Sequence, residues 1–465
     1  MGPSGSGKST LAYVLANILT PPRYQAAGKV SYSFLNSPLR SYSSEELSGQ
    51  VSMIFQAPYK SLNPLMTCGA HLAECIQLHQ QTKKDEAESL AGSYLEKVKL
   101  PQEVFSKYPH QLSGGQIQRV MIALALCQQA ELLIADEPTA SLDIDTENEI
   151  LNLLKELQQE ENVSLLLITH ELAHVKSYTD RILLLDKGRL VEDQLTQTFF
   201  QQPQSETGKL LRESAHLLSQ RSPLVMPKSL LPTLTASGIS VRYESRKSPL
   251  FKPVYTQALH SLDVQLHQNT CLGVMGLSGS GKSSLVKAIK GMVTMEKGDI
   301  LLHEPRIEIS SQDKKRPFLF HQEVQLISQL NEQLFDPRQK ILKGLKQVHQ
   351  LHAKRNTLSF QESMEGYAAH LGLEVALLDR FPHQLSGGQL QRTNILRALL
   401  VDPNILICDE VLSQLDMPIK VQILTFLKKW LQEEKHAMIY VSHDQREIDF
   451  LSHEVIVLED GKVIS

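Results

Sequence analysis

The sequence predicts an α/β fold built twice in one chain, and three observations carry that prediction. First, the chain repeats itself. GPSGSGKS starts at Gly2 and GLSGSGKS at Gly276; LSGGQ starts at Leu112 and at Leu385; apolar runs close on Asp136-Glu137 and Asp409-Glu410; others close on Thr169-His170 and Ser442-His443. The offsets are 274, 273, 273 and 273 residues, and four unrelated motifs in one order at one spacing mark a duplicated domain. Second, Leu132 to Ala135 and Leu165 to Ile168 are continuous apolar runs of strand length, which suit a parallel sheet covered on both faces. Third, Ser9 to Leu19 places apolar residues at helical spacing directly after a glycine-rich loop, so each copy reads as strand, loop, helix.

The domain limits follow from the repeat. The motifs of the first copy end near Gly188, and a polar stretch from Gln201 to Pro232 carries Pro203, Pro223, Pro227 and Pro232, which predicts a closing helix and a linker. The expected organisation is a first domain over 1–205, a linker over 206–232 and a second domain over 233–465. A chain of 465 residues is too long for one core and suits two or three.

Composition narrows the function classes. Hydrophobic residues make up 42%, and 47 Lys+Arg against 51 Asp+Glu give a net charge of −4. A general nucleic-acid binder would show a basic excess, so no nucleic-acid partner is expected. Cys68, Cys75, Cys127, Cys271 and Cys408 form no C-x-x-C pair and read as reduced, buried thiols. No apolar run approaches the roughly 18 to 20 residues that span a bilayer. The N-terminus is Gly/Ser-rich without the order of a signal peptide. Work at a membrane would therefore need other chains to supply the span.

The motifs carry a coherent chemistry. G-x-x-x-x-G-K-[ST] is a phosphate-binding loop, in which glycines let successive N–H groups converge on phosphate oxygens at a helix N-terminus. Gly2, Ser4, Gly5, Gly7, Lys8, Ser9 and Thr10 form it in the first copy, and Gly276, Ser278, Gly279, Gly281, Lys282, Ser283 and Ser284 in the second. Lys8 and Lys282 are expected to reach the β- and γ-phosphates, with Ser9 and Ser283 offering hydroxyls to Mg²⁺. Asp136 and Asp409 end strands where they can hold Mg²⁺ through its water shell. Glu137 and Glu410 are the candidates to polarise the attacking water. His170 and His443 stand at one offset from those pairs, which favours a γ-phosphate contact over a purely structural histidine. LSGGQ alone is a serine-capped helix start. Its Ser113 and Gly115, and Ser386 and Gly388, also offer a hydroxyl and bare N–H groups to an anion. Such a second anion site makes sense if it closes over ATP held by the other copy. Gln56 and Gln329 match each other as well.

Together these residues reach a known pattern. GPSGSGKST, Gln56, LSGGQ, LLIADEP, Ser141-Leu142-Asp143 and His170 resemble the Walker A, Q-loop, signature, Walker B, D-loop and switch-histidine set of the ATP-binding-cassette (ABC) superfamily. The second copy supplies GLSGSGKSS, Gln329, LSGGQ, ILICDE, Gln414-Leu415-Asp416 and His443. Tyr243 matches the aromatic residue that stacks on adenine there. The resemblance covers nearly the whole chain. It implies two ABC-type P-loop NTPase domains, each with a RecA-like core, a helical subdomain and a small antiparallel β arm. It also implies ATP with Mg²⁺ as cofactors and an ATPase whose two domains pair within the chain around two ATP molecules.

The subfamily resembled is that of peptide and nickel importers, from Phe55-Gln56-Ala57-Pro58, the SLNPLMT run at Ser61 and FFQQPQSETGKLL at Phe199. This implies two transmembrane permease subunits and an extracytoplasmic solute-binding protein as partners. It places the chain at the cytoplasmic face of the cell membrane, peripherally bound. The cargo class is dipeptides, oligopeptides, or nickel, cobalt or a metal chelate. The cysteine-bearing tail of oligopeptide members is absent after His216, which tilts the reading toward metal cargo. Two alternatives stand beside this. A fused ATPase of an energy-coupling-factor vitamin or cobalt importer is faintly resembled by Glu332-Gln333-Leu334-Phe335. A non-transport ABC protein acting on ribosomes would carry a long charged linker, which the short, proline-broken 206–232 stretch does not provide.

Departures from the pattern matter too. The first copy starts at its phosphate loop, without the strand and aromatic residue that Thr233 to Met275 supply in the second. Loss of a central strand should cost several kcal/mol, so an upstream start is expected. In the second copy, Val411-Leu412 replaces the Pro138-Thr139 of the first, and Ser328-Gln329-Leu330-Asn331 departs from Phe-Gln-x-Pro.

Overall fold

The computed structural model describes residues 1–19, 27–33, 47, 49–56, 58–139, 142–220, 224, 226, 231–245, 254–277, 279–313, 315–328, 334–352, 358–413, 415–433 and 435–464. Ala57, Ser141, Pro223, Pro227, Ser278, Gln329 to Gln333 and Gln414, singled out above, lie outside them. The chain divides into two compact units, Met1–Arg212 and Glu213–Ser465.

In the first unit, α1 (Lys8–Leu15) follows the glycine-rich loop. It stops short of the expected Leu19 because Asn17 takes a left-handed φ of 53°, a conformation asparagine tolerates better than most residues. Three strands then form a parallel sheet in the order β1 (Val51–Ile54), β2 (Leu132–Asp136), β3 (Ser164–Ile168). Between β1 and β2 comes a helical layer of α2 (Cys68–Gln80), α3 (Lys84–Lys97) and α4 (Gly114–Cys127). Its apolar faces meet in one core through Leu72, Ile76, Ala91, Leu95, Ile117 and Val120. Each Leu or Ile fully withdrawn from water there contributes about 1.5 to 3 kcal/mol. Helix α5 (Ile144–Glu160) is capped by Asp143, whose carboxylate accepts from Thr146 N and Oγ1 at 3.0 and 2.9 Å. After β3 come α6 (Leu172–Tyr178) and an antiparallel pair, β4 (Arg181–Asp186) with β5 (Arg189–Leu195). Helix α7 (Thr196–Gln201) follows, and α8 (Glu206–Ser219) carries the chain past Arg212, where the first unit ends.

The second unit opens with β6 (Pro232–Ser245), β7 (Val254–His267) and β8 (Cys271–Met275), then α9 (Lys282–Lys290). β6 and β7 join β9 (Lys297–Leu302) and β10 (Ile307–Ser310) in an antiparallel arm ordered β10-β9-β6-β7. β11 (Val324–Ile327) leads into a helical layer of α10 (Ile341–Leu351), α11 (Phe360–His370) and α12 (Gly387–Leu399). The unit closes with β12 (Ile405–Asp409), α13 (Met417–Gln432), β13 (Ala437–Val441), α14 (Gln445–Leu451), β14 (Glu454–Glu459) and β15 (Lys462–Val463). Its main sheet runs β11-β12-β13-β8-β14-β15, parallel except for β15. All five residues of β13 are buried, as expected of a strand covered on both faces.

The two units differ at one strand. In the second, β8 lies between β13 and β14 and carries the phosphate loop at its end. In the first, the described residues hold the β1-β2-β3 sheet and the β4-β5 hairpin as separate sheets. Among the described residues Met1 takes up the corresponding place: its amino group donates to Leu183 O at 2.8 Å, and Leu185 N donates to Met1 O at 2.8 Å. Met275 pairs with β14 in the same way. The antiparallel arm expected in each domain is present in the second unit, and the described residues of the first hold no counterpart. Among the described residues, no helix is long and apolar enough to cross a membrane.

Candidate nucleotide sites

Each phosphate loop is set by its glycines. Gly2 has φ 151° and Gly276 φ 144°, and a Cβ on either would stand 2.1 or 2.2 Å from a carbonyl oxygen, that of Leu185 or Leu458. No side chain fits there. Gly7 and Gly281 are left-handed N-caps of α1 and α9 at φ 94° and 106°, which turns the chain sharply into the helix. The lysine that follows folds back over the loop. Lys8 Nζ donates to Gly2 O at 2.7 Å and Pro3 O at 2.9 Å; Lys282 Nζ donates to Gly276 O at 2.6 Å and Leu277 O at 2.8 Å. A buried ammonium held by loop carbonyls can exchange them for phosphate oxygens with little rearrangement. Ser9, Thr10, Ser283 and Ser284 lie in the first helical turn, and Ser4, Gly5 and Gly279 line the loop.

The carboxylates gather at the ends of β2 and β12. Asp136 is 1% exposed, and among the described residues neither of its oxygens has a hydrogen-bond donor in regular geometry. Burial raises its pKa and the Glu137 charge adds to that, while the Ser9 hydroxyl and Lys8 oppose both. Asp409 is raised in the same way, by burial and then by Glu410, against Lys287, Lys282 and Ser283. Asp136, buried without a regular donor among the described residues and set beside the Ser9 hydroxyl and the phosphate loop, fits a hard divalent cation.

Glu137 and Glu410 both sit in left-handed backbone, at φ 47° and 51°. For a non-glycine residue this is strained, and it recurs at functional sites. The strain is fixed by a neighbouring strand: Glu137 N donates to Ile168 O at 2.9 Å and Glu410 N to Val441 O at 3.0 Å. The side chains then face the histidines. Gln56 Nε2 donates to Glu137 Oε2 at 2.6 Å, and His170 Nδ1 lies 3.2 Å from Glu137 Oε1. His443 Nδ1 lies 3.7 Å from Glu410 Oε1. Burial pushes the Glu137 carboxyl up, but His170, Lys8 and Gln56 together hold it below its ordinary value. The His443 imidazole beside it, with Lys282, holds Glu410 low against burial. His443 is raised in turn, by Glu410 first and by the charges of Glu447 and Asp444 as well, against burial. Both glutamates are thus ionised near neutrality, as a group that accepts a proton from water must be.

The remaining predicted residues fall into place by element. Ser113 and Ser386 are N-caps of α4 and α12, each in a reciprocal box with Gln116 or Gln389. Gly115 is required by packing, since a Cβ there would meet Thr146 Cγ2 at 2.5 Å; Gly388 lies in the first turn of α12. Tyr243 is exposed on β6, and its hydroxyl donates to Ser284 Oγ at 3.3 Å, which puts the ring beside the second phosphate loop. The sequence reading missed Thr169 and Ser442, whose hydroxyls accept from Glu171 N and Asp444 N at 3.0 Å each and hold the turns that carry the histidines. A hydroxyl residue before each histidine at the repeat offset was the available signal.

Fold and site define a class, the P-loop nucleoside triphosphatases. Comparison with known proteins narrows it: a family profile described as ABC transporter matches residues 1–140 and 259–413. The chain is 33% identical to the uncharacterized ABC transporter ATP-binding protein YejF of Escherichia coli K12, over all of this chain and 88% of that one. It is also 33% identical to the glutathione import ATP-binding protein GsiA of Salmonella choleraesuis, over all of this chain and 80% of that one. The chain belongs to the ABC transporter family and is an ATP-binding protein and ATPase of it. Among solved structures, the archaeal ribosome recycling factor aABCE1, in complex with the stalk protein aP1, aligns at TM-score 0.61 and 19% identity over 99% of this chain and 83% of that one. The RNase-L inhibitor aligns at 0.60. At that identity the likeness concerns the fold alone.

Proposed function

We propose that this chain is the fused ATPase of an importer of the peptide/nickel type, working at the cytoplasmic face beneath two permeases fed by a solute-binding protein. The observation that carries this is the similarity, across the entire chain, to a protein named for glutathione import. The SLNPLMT run after Gln56 supports it from the sequence. Glutathione is a tripeptide, which draws the proposed cargo toward small peptides, with metal chelates as the second choice. In this reading Lys8 and Lys282 bind phosphate, and Ser9 with Asp136 and Ser283 with Asp409 hold Mg²⁺. Glu137 and Glu410 orient the attacking water while His170 and His443 contact the γ-phosphate. Tyr243 stacks on adenine. The two domains, 1–205 and 233–465, would pair around two ATP molecules, each bound by one phosphate loop and the other domain's signature serine. Uptake in cells lacking the gene is the test. A deficit in labelled glutathione or dipeptide uptake with normal nickel and cobalt supports the peptide reading. A metal deficit alone moves the cargo to chelates, and no deficit in either argues against the importer.

A further inference from the structure

Behind His443 lies a buried cluster that the nucleotide chemistry does not use. Lys420 on α13 and Glu447 on α14 form an ion pair at 3.0 Å, with side chains only 6% and 4% exposed. The second oxygen of Glu447 accepts hydrogen bonds from Tyr440 OH and Ser442 OH, both at 2.8 Å. Ser442 Oγ in turn accepts from Asp444 N at 3.0 Å. Ser442 and Asp444 are the two neighbours of His443 in the chain. Glu447 therefore grips one directly and the other through a single hydroxyl, so the turn between them is held from beneath.

The first unit builds the same joint with its polarity reversed. At the repeat offset of 273 residues, Lys420 corresponds to Glu147 and Glu447 to His174. Glu147 Oε1 and His174 Nε2 lie 3.4 Å apart, again linking the helix before the strand to the helix after the histidine. The acid has moved to α5 and the base to α6, and Leu167 stands where Tyr440 does. Nothing of that joint gives Thr169 the carboxylate that Ser442 has.

We infer that Glu447 is a positioning residue for His443, fixing through Ser442 the turn that aims the imidazole at Glu410, so that His443 and His170 are anchored by different chemistry. The inference rests on the reading of His443 as a residue of the hydrolytic site. A buried carboxylate satisfied by one cation and two hydroxyls is a rigid support, because each partner would be costly to leave unpaired. A small error in aim at a reacting centre can lower turnover by factors of ten to a hundred.

The test uses the full chain in a Glu137→Gln background, so that turnover reports on the second site. Glu447→Leu alone removes the carboxylate paired with a buried lysine and risks misfolding, so the informative variant is Lys420→Met with Glu447→Leu, an apolar pair of similar volume. The expected result is a kcat lowered about tenfold with KM for ATP within about twofold, and a Ser442→Ala variant that reproduces the loss. Added to His443→Ala, the apolar pair should lower the residual turnover no further, since a support acts only through what it supports. An unchanged kcat in the apolar-pair variant, or an equal loss with and without His443, overturns the inference alone. Wild-type turnover in His443→Ala overturns the reading of His443 itself and takes the inference with it.

Discussion

At the scale of single residues, the sites make separable demands on charge, backbone and space. Glu137→Gln with Glu410→Gln keeps the shape of both sites and removes the two carboxylates that can polarise water. It should bind ATP with near-native affinity while hydrolysis falls at least about a hundredfold; turnover near wild type in a purified-protein assay would refute the assignment. Gly276→Ala places a methyl group 2.2 Å from Leu458 O. It should abolish nucleotide binding at the second loop while leaving binding at the first, as read by stoichiometry of a fluorescent ATP analogue. The Glu410–His443 contact also has a pH signature. Glu410 is held below its ordinary 4.5, so its stabilisation is present above that value and is lost as pH falls through the depressed one. His443 is held above 6.5, so its share is full below 6.5 and fades as pH rises through the elevated value. The thermal midpoint of the wild type should exceed that of Glu410→Gln most at about pH 4.5 to 6.5, narrowing toward both acid and alkali. A gap that grows steadily up to pH 9 would contradict the contact.

At the scale of elements, the helix starts carry function and stability together. Ser386 closes the first turn of α12 by accepting from Gln389 N at 3.3 Å, and Gln389 returns the bond to Ser386 N at 2.9 Å. Ser386→Ala should cost about 1 kcal/mol, a small fall in denaturation midpoint. If Ser386 also binds phosphate as proposed, turnover falls by more than that loss of folded protein accounts for. Most of these elements were legible in advance. The runs at Leu132 and Leu165 became β2 and β3; β2 is buried from Leu133 to Asp136 as its unbroken apolar stretch predicts, whereas in β3 only Ile168 is buried and Leu165 to Leu167 are half-buried. α1 was overestimated, since apolar spacing persists past Asn17 while the backbone does not. The Lys420–Glu447 joint could not be seen, because its partners come from two helices and a strand that only the fold brings together.

At the scale of the whole molecule, the two units are unequal in their sheets. The main sheet of the second has six strands, with β8 among the inner ones; in the first, the described strands form separate sheets of three and two. The duplication itself was legible, since a constant offset between motifs needs no structure to be recognised. The difference between the copies was legible only in part. Thr233 to Met275 visibly lead into the second phosphate loop, but the division of the sheets needed the strand order, and the reversed polarity of the buried joint needed the contacts.

The left-handed backbone at Glu137 and Glu410 sets stability against activity. Holding a glutamate there costs on the order of 1 kcal/mol or more, and glycine would relieve it. At alkaline pH, where the Glu410–His443 contact has faded, Glu137→Gly combined with Glu410→Gly should melt higher than the wild type while hydrolysing no ATP. A laboratory selection for heat tolerance alone at that pH would reward those two changes, and the proteins it enriched would be robust and inert.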